Sequence, residues 1–203
     1  MPDDLGRFLA AGPRVGLRPF SPDDAEEFTA RARESRELHR PWLFPPCTPE
    51  AYAGYAGVLI EDPARAGFLV CEHADGTEHA GGGRIAGFVN INNIVRGAFR
   101  SGALGYGAFA HAAGRGLFTE ALGLLLAYAF GPLDLHRLEA NIQPGNTASR
   151  ALVRRAGFRL EGFSPAMLFI DGAWRDHERW AITAPEPAQP PYPPQPPGTG
   201  QRL

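Results

Sequence analysis

The chain has 203 residues, 20 basic and 22 acidic side chains and a formal net charge of -2. That length holds one domain with a sizeable core, and that balance excludes a strong electrostatic pull toward nucleic acid or an anionic membrane. Every basic residue is arginine and none is lysine, so no side chain carries a primary amine.

The start of the chain, MPDDLGRFLAAG, lacks the basic start and apolar run of a signal peptide. The longest apolar stretch, 122–130, is far below the ~20 residues that span a bilayer. These features lead to an expected cytoplasmic location, with 1–13 as an N-terminal extension. Residues 14–18 (RVGLR) alternate like a strand. Ser21-Pro22-Asp23-Asp24 then offers a cap, a proline at the first helical position and an acid three residues after the cap, predicting a helix over 22–37. Three prolines keep His39-Arg40-Pro41-Trp42-Leu43-Phe44-Pro45-Pro46 out of regular helix, and Thr48 caps a second helix reaching residue 61. Cys47 and Cys71 stand apart, without neighbouring ligands, which argues against a zinc site or disulfide and for two reduced thiols.

Three strand-like runs follow, 67–73, 84–92 and 103–110, separated by turn residues, as in an antiparallel meander. Helical periodicity returns over 117–130. Residues 137–142 (RLEANI) read as a strand, Asn146 caps a helix that ends at Ala156-Gly157, and 158–170 with 173–182 form a hairpin closed at Asp171-Gly172. Residues 184–203 carry eight prolines and almost no aliphatic side chains, the composition of a disordered, dispensable tail. The folded domain is expected over 14–183.

The stretch with the most chemistry is 103–121, where a strand runs through His111-Ala112-Ala113-Gly114-Arg115-Gly116 into an apolar helix. Glycines allow close backbone approach, and the first N–H groups of a helix are unpaired, so a diphosphate can rest on them. A plain strand-to-helix turn has the same composition, and Arg115 either adds a charged contact or faces solvent. A Rossmann site would need a third glycine where Thr119 stands, and a βαβ context that is missing.

The blocks GYGAFAHAAGRGLFTEAL, LHRLEANIQPGNTASRALVRRAGFRLEG and DGAWRDHERWAI, in this order and spacing, resemble the GCN5-related N-acetyltransferase superfamily, near its ribosomal-protein N-terminal acetyltransferase branch. The resemblance spans 14–183. It implies an α+β fold whose mixed, mostly antiparallel sheet splays open between 103–110 and 137–142, flanked by helices, with acetyl-CoA as acyl donor, no metal and an amine as acceptor. It implies that Gly114, Arg115, Gly116, Leu117, Phe118 and Thr119 cradle the diphosphate. Gly107, Ala108, Phe109, Asn141, Asn146 and Ser149 would lie along the rest of the donor. Two positions depart from the family loop, Ala113 in place of Gln or Arg and Phe118 in place of a small residue.

By the same resemblance Ser149 would serve the leaving thiolate, although capping alone also accounts for Asn146 and Ser149. Tyr106 adjoins the gap and reads as scaffold or as a catalytic contributor. The position where some relatives hold a catalytic glutamate falls on Met167 or Leu168. Glu139 and Asn141 share a strand face, so Glu139 is a candidate base or a partner for a neighbouring arginine; His136 and His177 have suitable ordinary pKa values but no assigned position. His39, Trp42 and Phe44 either line the acceptor cleft or staple two helices. Trp174 and Asp176 read as scaffold.

An α-amine of pKa near 8 is roughly a tenth neutral at pH 7, and a Lys amine near 10.4 far less, so an α-amine acceptor needs little help from a base. The favoured reading is therefore acetyl transfer to a protein N-terminal α-amine by direct attack in a ternary complex. Alternatives are another acyl donor such as succinyl-CoA, a small-molecule amine acceptor, or a CoA-binding sensor whose chemistry has lapsed. Nucleic acid and membrane are not expected partners, and the protein is taken as a monomer or homodimer.

Overall fold

The computed structural model describes residues 8–73 and 83–185. One eight-stranded sheet organises them: β1 (Ala10–Ala11), β2 (Val15–Pro19), β3 (Ala66–Glu72), β4 (Arg84–Val95), β5 (Ser101–Ala108), β6 (Arg137–Ile142), β7 (Arg159–Ile170) and β8 (Ala173–Thr183). Their spatial order is β1-β2-β3-β4-β5-β6-β8-β7. Every neighbouring pair is antiparallel except β5 and β6, which are parallel. The helices are α1 (Ala25–Glu34), α2 (Arg36–His39), α3 (Pro49–Glu61), α4 (Leu117–Phe130) and α5 (Thr147–Arg155). The fold is α+β, and none of the helices is long and apolar enough to cross a membrane.

Two buried clusters lie on opposite faces of the sheet. Leu117, Ala121, Leu122 and Leu125 of α4 pack with Val89, Ile91, Leu104, Leu138 and Ala140, and Val153 of α5 joins them. On the other face Phe28 of α1 and Tyr52 of α3 pack with Leu69, Phe88 and Phe109. With both faces covered, β4 is buried from Ile85 through Ile91, which is why it reads as a continuous apolar run and not as a clean alternation. A register slip opposite Val70 and Cys71 exchanges the faces near its start, so Ile85 shares a cluster with Phe88 and Ala86 with Val89. Cys71 is a free, buried thiol pushed up to about 11, chiefly by burial.

The predicted elements form with local corrections. The first helix is not continuous to residue 37: Pro22–Asp24 is a 3-10 turn with the full Ser21/Asp24 capping box, and the chain breaks again at Ser35 before α2. The Ser35 hydroxyl donates to Arg31 O (2.6 Å) and accepts from Ala110 N (2.8 Å), a tie to the sheet that ordinary helix geometry does not supply. The strand expected over 103–110 begins at Ser101 and ends at Ala108, where Phe109 turns into the buried cluster and 110–112 form a 3-10 turn. Ala10–Ala11, within the stretch read as an extension, pairs with β2. The β7–β8 turn places Asp171 and Gly172 at φ 50 and 74, the left-handed pair that a two-residue hairpin needs. The proline-rich segment lies outside the described residues from 186 onward.

Candidate active site

The sheet opens where the sequence suggested. β5 and β6 are paired only at Ser101–Arg137, Gly102–Leu138 and Ala103–Glu139; beyond these, Leu104–Ala108 and Ala140–Ile142 diverge and leave a gap. Strand alternation assigns the two sides of that gap. Leu104, Tyr106 and Ala108 face α4 and α5 with Leu138 and Ala140. Gly105 and Gly107 face α1 and α3, as do their strand neighbours Asn90 and Phe88 and, across the gap, Glu139 and Asn141.

At the end of β5 the chain reaches the loop before α4. Gly114 and Gly116 are left-handed at φ 73 and 78, and Gly116 is the N-cap of α4. The carbonyls of Arg115 and Gly116 are held from one side by the Arg14 guanidinium at 3.1 and 3.3 Å. Glu120 fixes Arg14, accepting from its backbone N at 2.8 Å and its Nε at 2.9 Å. With the carbonyls turned toward Arg14, the N–H groups of Gly114, Arg115, Gly116, Leu117 and Phe118 have no acceptor among the described residues. Successive free N–H groups at a helix N-terminus fit an anion, so the donor set suits the diphosphate of coenzyme A.

The side chains of this loop do other work. Arg115 is engaged by Glu72 through both terminal nitrogens, so its part in the cradle is its backbone. Phe118 is buried and occupies space that only a glycine at 87 leaves, since a Cβ there would stand 2.5 Å from its ring. This accommodates a large residue where the resemblance implies a small one. Thr119 is exposed at the rim.

Across the gap, Asn146 caps α5, its side chain accepting from Ser149 N at 3.1 Å. Tyr106 spans the opening, its hydroxyl donating to Ser149 O at 3.4 Å. Burial pushes the Tyr106 phenol up to about 12, so it is a neutral donor at physiological pH. Glu139 accepts from Arg137 at 2.9 Å, and Arg137 also holds Glu161, so Glu139 is a paired carboxylate. Asn141 Oδ1 and Asn90 Oδ1 are buried without a partner among the described residues.

The elbow lies against both lips. A Cβ at Gly107 would be 2.5 Å from Leu43, and one at Gly145 would be 2.8 Å from Trp42. Phe44 is exposed, with the Arg40 guanidinium 5.6 Å from its ring centroid. His39 is 5% exposed and its Nε2 lies 2.7 Å from Ala108 O, so Nε2 carries the proton and the ring pins α2 to the last residue of β5. Burial lowers its pKa, the bond to Ala108 opposing the shift. Because the folded pKa lies below the ordinary value near 6.5, this residue's contribution to stability is present above that value and is lost as pH falls below it, through the depressed folded pKa. His39→Ala should cost about 2–3 kcal/mol of stability and flatten the fall in melting temperature between pH 7 and 5, read by thermal scans at each pH.

His177 is buried, its Nδ1 2.9 Å from Arg175 O, and His136 is exposed at the start of β6; neither is placed in the gap by a contact. Trp174 packs edge-on to Phe169 on the outer hairpin, and Asp176 accepts from Ala166 N. No metal-binding cluster occurs among the described residues. Sequence reasoning missed Arg14 and Glu120, which brace the loop from a distant strand, and Asn90, whose signal is one amide inside the apolar run GFVNI.

An open mixed sheet with a row of free N–H groups beside its gap fits an acyl-CoA N-acyltransferase, and comparison with known proteins agrees. Residues 14–159 match the acetyltransferase (GNAT) domain, and the chain belongs to that family. Relatives within it include ribosomal-protein alanine N-acetyltransferases. The chain is 33% identical over 177 residues to the [ribosomal protein uS5]-alanine N-acetyltransferase of Escherichia coli (strain K12), covering 85% of this chain and 89% of that one. It superposes on Mycobacterium smegmatis RimJ in complex with CoA-disulfide with a TM-score of 0.76 at 31% identity, covering 88% and 89% of the two chains. YjcK of Bacillus subtilis (strain 168) is 39% identical over 106 residues, a match that spans 59% of that protein.

Proposed function

We propose that this protein acetylates the α-amine of a protein N-terminus, with acetyl-CoA as donor, in the cytoplasm. The observation that carries the proposal is the gap itself, which has a diphosphate cradle at one end and paired or hydrogen-bonded groups around it, with no free carboxylate placed there by a contact. A site without a strong base suits an acceptor that is already partly neutral, and an α-amine near pKa 8 meets that condition where a lysine near 10.4 does not.

In this reading the free N–H groups of Gly114, Arg115, Gly116, Leu117 and Phe118 hold the diphosphate. Asn146, Asn141, Gly107, Ala108 and Phe109 border the donor arm. The donor supplies a thioester whose carbonyl carbon is attacked by the neutral amine. The new C–N bond forms as the carbonyl oxygen takes up charge, a backbone N–H of β5 between Tyr106 and Ala108 stabilises that charge, and the C–S bond then breaks. Ser149 Oγ, which makes no hydrogen bond among the described residues, donates a hydrogen bond to the departing thiolate, which takes its proton from solvent, and Tyr106 assists as a neutral phenol. The amine's surplus proton passes to solvent, directly or through water beside Glu139. Trp42 and Phe44 line the approach, and His39 holds that wall in place.

The test is thiol release from acetyl-CoA with a panel of α-amine peptides, lysine-containing blocked peptides and small amines. The α-amine peptides should turn over fastest, and Ser149→Ala should lower kcat about tenfold with affinity for CoA unchanged. The rate constant kcat/KM should rise with pH through the amine's own pKa and stay level to about pH 10, since Tyr106 keeps its proton up to about 12. Preference for a lysine or small amine, or succinyl-CoA used in place of acetyl-CoA, would replace the proposal. Tight CoA binding with no turnover on any amine would favour a lapsed sensor.

A further inference from the structure

Two asparagines on the α1/α3 face of β4 stand beside Gly105, close to the point where β5 and β6 part. Asn90 is 6% exposed. Its Nδ2 donates to the Tyr55 hydroxyl at 2.9 Å, whereas its Oδ1 is buried without a partner. Asn92 is held the other way: its Oδ1 accepts from Arg65 at 3.1 Å, and Arg65 is braced by Asp62. Arg65 has only donors to offer, so the Asn92 amide must turn its oxygen to the guanidinium and leave Nδ2 free.

Both free ends point at the same place. A side chain at Gly105 would collide with Asn90 Oδ1 and reach within 3.5 Å of Asn92 Nδ2. The glycine therefore leaves the room in which the Asn90 amide oxygen sits, with the Asn92 amide nitrogen beside it on a half-buried strand. A buried amide oxygen without a partner is costly, and native structures carry few of them. Water does not satisfy this oxygen, and a group that seats beside Gly105 and uncovers it would gain a hydrogen bond there.

An N–H and a C=O presented side by side are what a peptide unit offers. We propose that Asn90 and Asn92 are the peptide-reading residues of the acceptor site: Asn90 Oδ1 accepts a backbone N–H of the acceptor segment and Asn92 Nδ2 donates to a backbone carbonyl. Tyr55 and Arg65 act as positioning residues that hold the two amides, and burial raises the Tyr55 hydroxyl's pKa so that it stays a neutral partner. This inference rests on the α-amine reading above and narrows it to polypeptide acceptors, because a simple amine carries nothing for this pair to read.

The test uses the full chain, acetyl-CoA and a hexapeptide with a free N-terminal alanine, together with analogues in which each of the first two amides is replaced in turn by an ester. For the unaltered protein, one of the esters should lower kcat/KM about tenfold or more, the loss that goes with an unmet buried acceptor. In Asn90→Ala that ester and its amide should be used equally, with CoA affinity by calorimetry unchanged. Asn92→Asp empties no buried site and still accepts from Arg65; it should raise KM for the peptide about tenfold while kcat holds. If amide and ester are treated alike by the unaltered protein, or if Asn92→Asp leaves KM where it was, this inference is overturned while the α-amine reading stands. Acetylation of no peptide at all overturns both.

Discussion

Gly116→Val should weaken coenzyme A binding by about a hundredfold and leave the fold in place. Gly116 caps α4 at φ 78 and ψ 0, a conformation that costs a β-branched residue roughly 1–3 kcal/mol. The space around the position is open, with Arg14 the nearest neighbour at 3.6 Å from a built Cβ, so the side chain is not expelled by a clash. Instead the loop relaxes by rotating its peptide planes, and the N–H groups at the start of α4 turn away from the anion. Hydrogen bonds to a charged group contribute about 1.5–3 kcal/mol each, and the loss of one or two gives the hundredfold figure. Calorimetric titration measures it, with near-UV circular dichroism as the check on folding. Affinity equal to that of the unaltered protein would mean that the diphosphate sits elsewhere.

Asp24→Ala should remove about 3–5 kcal/mol of folding stability, a large share of the ~5–15 kcal/mol typical of a domain. Asp24 receives Arg18 Nη1 at 2.8 Å and Nη2 at 2.6 Å, and it also accepts from Ser21 N at 2.9 Å. Both side chains of the pair are 11% exposed. Truncation leaves the Arg18 guanidinium without its carboxylate between β2 and the helical face, with only Pro19 O at 3.3 Å remaining, and it also undoes the capping box of the 3-10 turn that leads into α1. Urea unfolding should show the midpoint fall, and Arg18→Met in the same chain should recover part of the loss because the stranded charge is then gone. A double variant no more stable than Asp24→Ala would show that the capping box, not the ion pair, carries the effect.

Much of this was readable from the chain because the signals are local. Thr48 before Pro49, Gly116 before the apolar run, Asn146 before α5 and Asp171-Gly172 in the last turn each specify an end or a reversal by their own chemistry, and each stands where it was expected. The position of the gap came from the resemblance, and the pairing of β5 with β6 bears it out. What could not be read is what depends on residues far apart in sequence. Glu120 braces Arg14 across 106 positions, and Arg115, expected near the anion, is drawn to Glu72 on a strand 43 positions earlier. The split of the first helix at Ser35 likewise follows from a bond to Ala110 N, not from any helix-breaking residue. Glu139 illustrates the limit from the other side: alternation put it on the correct face, but only the structure shows that Arg137 has claimed it.

The tie between His39 and Ala108 ends as a mechanical matter. The elbow residues rest on Gly107 at one lip and on Gly145 at the other, and the imidazole fastens α2 to the tip of the same strand. Trp42 and Leu43 are thereby fixed to both lips of the gap at once, so a change in its width is felt directly by the elbow.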